Sequence, residues 1–600
     1  MKHQLLLAAA ILPLISGQPI TPQNVKRLQP AWTFRTGEST GPAERGGRNT
    51  AFEATPVYFE GLLYLGTPRG KAIALDPLTG AERWSFDAKI NLQAGYGDFA
   101  NRGVTLWQDT RARAGAACKT RVFFAAIDGQ LYSLDAKTGK VCVGFGNEGR
   151  LELSKGLRRG PMYPGEYENT SPPVVLDDVL VVGSAIADNV RTDAPTGEVR
   201  AFDVRSGKLL WTFDPLPSNP DSGGANAWSR LTIDPARHLV FVPTGSASPD
   251  YFGGLRPGDN RYANSVVALR IKTGQAAWSF QTVHHDLWDY DVASQPVLVD
   301  VHGVAAVAVG SKTGHLFLLN RDTGVPLFPV EERAVPKSTV PGELASATQP
   351  FPTLPPALAP QKLPADQAWG PTDADRESCR AQIAALRSEG IFTPPSLEGT
   401  VVFPGNIGGM HWGGGAYSPS THLLVVPTNR MAAVVRLIPR DQVDEYRRSH
   451  PDWETSNQRG APFGMARKFL RSPSGLPCNP PPFGALTAVD VNTGKILWEK
   501  PLGKLPIGNV PVEWGSINLG GPYMNDAGVV FIGASLDPAI RAFDAKTGDE
   551  LWQAALPASA RSTPMSFQGP DGKHYVVIAA GGHDTEFGKL DNALVAFVLK

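Results

Sequence analysis

The chain has 600 residues, 42% hydrophobic and 19% charged, which is enough apolar material for a large folded core. Lys+Arg and Asp+Glu both number 57, a balance that argues against a nucleic-acid or anionic-membrane partner. Glycine (63) and proline (53) are too frequent for a helical protein and suit many short strands joined by turns.

The N-terminal "MKHQLLLAAAILPLISGQP" joins a short basic start to an apolar run from Leu5 to Ile15, followed by Ser16 and Gly17. That run is too short to span a bilayer, and residues 1–17 are expected to be a secretory signal. The rest, 25–600, is expected to be one exported domain, periplasmic in a Gram-negative cell and free of membrane-spanning segments, with peripheral contact to the inner membrane left open.

One phrase then recurs: "ALDPLTGAERW" (74–84), "SLDAKTGKVCV" (133–143), "AFDVRSGKLLW" (201–211), "ALRIKTGQAAW" (268–278), "LLNRDTGVPLF" (318–328), "AVDVNTGKILW" (488–498) and "AFDAKTGDELW" (542–552). It reads as a strand ending in Asp, a tight turn and a returning strand. Asp and Thr side chains can bond the turn backbone, Gly supplies positive φ, and Trp packs as a flat wedge between neighbouring sheets. Seven copies, mostly about 50–68 residues apart, imply radially repeated four-stranded sheets: an all-β propeller with docking tryptophans. The chain ends "NALVAFVLK", the first half of the phrase, and its folded part begins "PAWTFRTG", the second half. An eighth blade closed by strands from both termini is therefore expected, which would leave no open sheet edge.

Among the four cysteines, Cys118 and Cys142 flank the hairpin-like "TRVFFAAIDGQLYSLDAKTGKV" and are paired first; Cys379–Cys478 follows only by elimination. No Cys-x-x-Cys-His occurs, so this sequence carries no attachment motif for a covalent c-type haem.

The segment "HHDLWDYDVASQP" (284–296) concentrates His284, His285, Asp286, Asp289 and Asp291. In an extended strand Asp289 and Asp291 would share one side, with Trp288 and Tyr290 on the other. Two neighbouring carboxylates are costly to ionise unless a cation lies beside them, which points to a metal-assisted base. A zinc site on His284, His285 and Asp286 is the rival, disfavoured because adjacent strand residues point to opposite faces. Residues 331–400, with Pro-rich "PFPTLPPALAPQKLP" and helix-like "DADRESCRAQIAALRSEG", read as an insertion in the sixth blade region.

With the repeats and "WDYD" in place, the chain resembles the eight-bladed quinoprotein dehydrogenases that use pyrroloquinoline quinone (PQQ). It looks most like the periplasmic catalytic part of the membrane-bound glucose dehydrogenase. The likeness runs through "FEATPVYFEGLLYLGTP", "ADNVRTDAPTGEVRAFDV", "QTVHHDLWDYDVASQP", "EGIFTPPSLEGTVVFPGNIGG", "GLPCNPPPFGALTAVDVNTG" and "YVVIAAGGH", in that order. The resemblance implies Asp289 as the base. It implies a Ca²⁺ site from Asp188, Asn189, Ser248 (before Ser246), Asp289 and Asp291; the extra carboxylate of Asp291 leaves a lanthanide open. It implies Trp228 stacked on the quinone, Arg102 and Lys312 as its cationic partners, and Glu53, Thr170, Ser171 and Asn406 as polar contacts. Asp537 is carried over as a further active-site acid.

Two departures bear on substrate. Tyr96 and Gly97 stand where alcohol-oxidising relatives carry adjacent cysteines, and Asp98 stands where the glucose dehydrogenase has a histidine. His411 and Trp412 in "GGMHWGG" are expected at the entrance. The activity implied is oxidation of an alcohol, sugar or polyol, with electrons passing to ubiquinone or to a separate carrier such as a cytochrome. The alternative is a non-catalytic propeller scaffold for protein partners, which would have no use for Asp188, Trp228, Asp289 and Lys312 together.

Overall fold

The computed structural model describes residues 18–41, 48–507, 510–582 and 588–600; the expected signal at 1–17 lies outside them. Eight of its sheets follow one pattern of antiparallel neighbours in sequence, from Val57–Phe59, Leu62–Gly66, Lys71–Leu75 and Glu82–Asp87 onward. Seven have four strands; the fifth, starting at Val297–Val301, has three. The last sheet joins Leu28–Arg35 to Ala593–Leu599, with Leu28 opposite Leu599 and Arg35 opposite Ala593.

Inner strands are apolar on both faces because each sheet is covered twice. In Leu423–Asn429, Leu424 and Val426 pack toward the preceding sheet with Val299 and Leu318, while Val425 packs toward the following one with Val530 and Phe543. That is the two-residue period of a strand used on both sides. Every successive pair of sheets shares such a cluster. Phe531 and Phe597 join the seventh to the eighth, and Leu65 and Val577 join the eighth back to the first.

The repeat phrase locks these sheets at their outer turns. Asp135 accepts from the amides of Lys137 (3.1 Å) and Thr138 (3.0 Å) and from the Thr138 hydroxyl (2.9 Å). Gly139 follows at φ 69°, and Trp84 of the previous sheet lies flat on it: a Cβ there would meet the indole at 2.5 Å. The Trp84 Nε1 donates to the Ala136 carbonyl at 2.9 Å. Glycine is thus required twice, for its backbone angle and for the indole's approach. Trp32, Trp211, Trp278 and Trp498 donate in the same way to Pro77, Ile271, Arg321 and Ala545. Where the phrase ends without Trp, another group fills the place: Gly207 rests against Gly146 and Leu151, and Gly494 against Leu354 and Phe328.

Two excursions leave this scheme. The expected one contains a hairpin (Val330–Ala334 with Thr348–Pro352), a helix Asp373–Ala384 capped by Thr372, and the strand Thr400–Val402. A second, which the repeat pattern did not reveal, leaves between Leu423–Asn429 and Gly484–Asp490 and supplies Ala433–Pro439, Glu454–Ser456 and Phe463–Phe469. Together they build one additional four-stranded sheet. The Cys379–Cys478 disulfide ties the two excursions, and Cys118–Cys142 is also formed. No helix among the described residues is long and apolar enough to cross a membrane.

Candidate active site

The additional sheet packs its apolar face on the segment 284–292. Phe463, Met465, Val435 and Phe392 bury Leu287, Trp288 and Tyr290. Trp288 Nε1 donates to the Thr393 carbonyl at 2.7 Å, and Tyr290 donates its hydroxyl to Pro404 at 2.8 Å. With the aromatic side fixed, the acidic side turns the other way. The Asp286 carboxylate accepts from the Trp288 amide (3.3 Å) and the Tyr290 amide (3.2 Å), holding a tight turn. Asp289 within it has φ 64°, so the segment is not the extended strand expected from its alternation. A non-glycine residue in that region is uncommon and is held there by its surroundings.

The consequence expected of a strand is met by a turn instead. Lys312 Nζ reaches Asp289 Oδ1 at 2.6 Å and Asp291 Oδ2 at 2.8 Å. Asp291 also accepts from Trp228 Nε1 (3.1 Å) and from the Ser246 amide (2.8 Å). Ser246 Oγ donates to Asp286 at 2.6 Å, so its hydroxyl is committed. Arg467, unforeseen from sequence, brings Nη1 to Asp289 Oδ2 at 3.2 Å.

More acid lies beside this group. Asn189 donates to Asp250 at 2.5 Å, and Asp250 is almost fully buried. Burial, then repulsion from Asp289 and Asp291, pushes Asp188 up to about 8 against the pull of Lys312. Asp250 is raised well above the ordinary carboxylate range by burial and by Asp188, Asp289 and Asp291. Asp289 is pushed up to about 6 by burial, with Lys312 opposing and Asp291 adding to the rise. Ser248 Oγ, Asn189 Oδ1 and Asp250 Oδ1 are buried with no hydrogen-bond partner. Orphaned oxygens among mutually repelling carboxylates are the donor set a hard cation takes. Among the described residues no three His, Cys, Asp or Glu side chains are drawn into a closed ligand set; the carboxylates gather on Lys312.

Trp228 is the flat wall of the site. Its carbonyl accepts from Thr170 (3.0 Å) and Ser171 (2.8 Å), so both hydroxyls are spent holding the tryptophan. The Arg102 guanidinium lies 5.4 Å from its ring and the Lys312 ammonium 5.8 Å. Arg102 is paired with buried Glu53 at 3.1 Å and reaches Asp98 at 3.6 Å. Its Nη1 and the Trp412 Nε1 are buried donors without an acceptor. An aromatic face ringed by a guanidinium and an ammonium suits a planar polyanion.

One expectation is revised. Trp412 does not stand at an entrance: it is 1% exposed and its ring lies 4.7 Å from Arg102, while the His411 ring is 5.4 Å from Trp228. Asp537 is paired with Arg541 and accepts from the Lys504 amide at 3.2 Å. His284 and His285 take separate glutamates, Glu332 and Glu343, each at 3.0 Å, which is no geometry for joint zinc binding. Asn406 lines a cavity of about 420 Å³ together with Arg467, Glu454 and Phe469.

Residues 16–576 match the family described as "Glucose/ethanol/alcohol dehydrogenase, beta-propeller domain", of the PQQ class. The chain belongs to the PQQ-dependent quinoprotein dehydrogenases. It is 37% identical to quinoprotein glucose dehydrogenase A of Acinetobacter calcoaceticus, over 97% of this chain and 77% of that protein. It is 36% identical to the glycerol dehydrogenase large subunit of Gluconobacter oxydans (strain 621H), over 97% of this chain and 82% of that one. The quinohemoprotein alcohol dehydrogenase of Comamonas testosteroni has a similar fold, with TM-score 0.67 at 23% identity over 97% of this chain and 78% of that one. This quinoprotein is therefore an oxidoreductase of the sugar- and alcohol-oxidising dehydrogenases. Asp250 and Arg467 are the site residues that sequence reasoning missed. Asp250 ends the turn "PTGSASPD" (243–250), which also holds Ser246 and Ser248, and was within reach; Arg467 sits in "MARKF" (465–469), which carries no motif.

Proposed function

We propose that this quinoprotein oxidises a hydroxyl of a sugar, polyol or alcohol, with Asp289 as the base and PQQ and a hard cation bound beside it. The observation that carries this reading is the grouping of Asp188, Asp250, Asp289 and Asp291 beside Trp228, with Lys312 between Asp289 and Asp291. Clustered buried carboxylates are costly to a fold and suit a site that takes up positive charge.

Asp188, Asn189, Ser248, Asp289 and Asp291 are the proposed cation donors, with Asp250 added to them. Ca²⁺ is the first choice and a lanthanide the second. Trp228, Arg102 and Lys312 would hold the quinone, with Glu53, Thr170, Ser171 and Asn406 around it. When bound, the quinone supplies the electron-accepting carbonyl and the cation its polarisation. Asp289 then takes the hydroxyl proton from the substrate as the hydride leaves the adjacent carbon. Lys312 and Arg467 keep that carboxylate charged before the proton arrives, and Trp288 and Tyr290 hold its loop against the inserted sheet. Electrons would leave to ubiquinone or a separate carrier. We place the protein in the periplasm as a ring of eight blades closed by its two termini.

The test is to add PQQ with Ca²⁺ or a light lanthanide to the apo-protein and screen aldoses, polyols and simple alcohols with a dye acceptor. Cation-dependent dye reduction by a member of these classes is expected. Retained quinone with no turnover on any of them would overturn the enzymatic reading.

A further inference from the structure

We propose that Arg467 is a positioning residue for this reaction, fixing the plane of the Asp289 carboxylate from the inserted sheet. The inference rests on Asp289 being the base. In the strand Phe463–Phe469, alternate residues face inward. Phe463 and Met465 join the cluster that buries Trp288 and Tyr290. The next inward position is Arg467, so the apolar face ends in a cation where the loop turns its carboxylates over.

The guanidinium is divided between two duties. Glu454 stands directly opposite Arg467 in the neighbouring strand. It takes one edge of the fork, Nε to Oε2 at 2.8 Å and Nη2 to Oε1 at 2.9 Å. A bidentate pair of this kind fixes direction as well as distance. Nη1 is left to donate to the Tyr251 hydroxyl at 2.6 Å and to Asp289 Oδ2 at 3.2 Å. Lys312 holds the other oxygen, Oδ1, at 2.6 Å. A carboxylate gripped on both oxygens from two sheets has little freedom to twist, although its backbone stands in a turn. Arg467 and Glu454 also line the cavity of about 420 Å³ beside Asn406, so the residue that grips the base faces that cavity as well.

Misplacing a catalytic group by about 1 Å can cost about 100-fold in rate. Arg467→Met in the PQQ-loaded enzyme should therefore lower kcat roughly 10–100-fold, with KM changed by less than about threefold and quinone content, read by absorbance, unchanged. Arg467→Lys should recover part of the loss, because an ammonium can meet one oxygen but cannot span the fork. Should Arg467→Met fail to fold, Glu454→Gln decides the matter: it keeps the cation and frees its direction, and kcat should fall about 3–10-fold. Unchanged kcat in the folded variant, a change confined to KM, or loss of bound quinone would each refute the assignment. Turnover surviving in Asp289→Asn would instead refute the base on which it rests.

Discussion

The outer turns and the inner ends of the same sheets are built on opposite rules. At the outer turns the repeated polar groups are answered by the turns themselves: Asp135 by Thr138 and two amides, Trp84 by the Ala136 carbonyl of the next turn. The arrangement recurs from sheet to sheet. At the inner ends nothing recurs. Burial and neighbouring carboxylates, Asp291 among them, raise the affinity of Asp188, Asp250 and Asp289 for protons, and Ser248, Asn189, Arg102 and Trp412 keep buried polar atoms without partners. Repeated, paired polarity marks the part that makes the fold; unique, clustered and unsatisfied polarity marks the part held ready for guests.

The contrast predicts that changes at the two ends fail differently. The largest effect is expected at the inner end. Asp289→Asn should lower turnover about 10²–10⁴-fold while quinone stays bound, measured by dye reduction and absorbance. At the outer end, Trp211→Ala removes an indole that lies on Gly274 and donates to Ile271. It should cost about 3–5 kcal/mol in denaturant unfolding and leave cofactor affinity as it was. A fall in affinity equal to the fall in stability would erase the distinction.

The smallest effect separates the ends by pH. His315, at the turn after Lys312, is held down to about 4 by burial and by Arg333, so it is neutral when folded. The unfolded chain takes up that proton near the ordinary 6.5. Its contribution is complete above that pH and is lost as pH falls through the interval toward 4, up to roughly 3 kcal/mol. Unfolding midpoints of the wild type and His315→Leu should diverge across that window; parallel curves would count against it.

Much of this was legible in the sequence because the outer rule is local. The phrase from Asp76 to Trp84 contains its own turn chemistry, so reading one copy reads the rest. Asp289 and Asp291 stand out in "WDYD", Lys312 and Trp228 are implied by the family resemblance, and the structure brings the four into contact. What stayed hidden depends on long-range packing. The second excursion carries no repeat phrase, so its strands were indistinguishable from loop, and Arg467 was hidden with it. The turn at Asp289 needs Asp286 to accept two amides, a choice that alternation cannot express. Trp412 looked like a rim residue in a glycine-rich run, yet it is buried against Arg102.

Calorimetric titration of PQQ into the apo-protein, with and without Ca²⁺, tests the central claim most directly. One quinone per chain, bound far more tightly when the cation is present and losing that gain in Asp188→Ala, is the predicted result. Equal affinity with and without the cation, or no binding at all, would contradict the account.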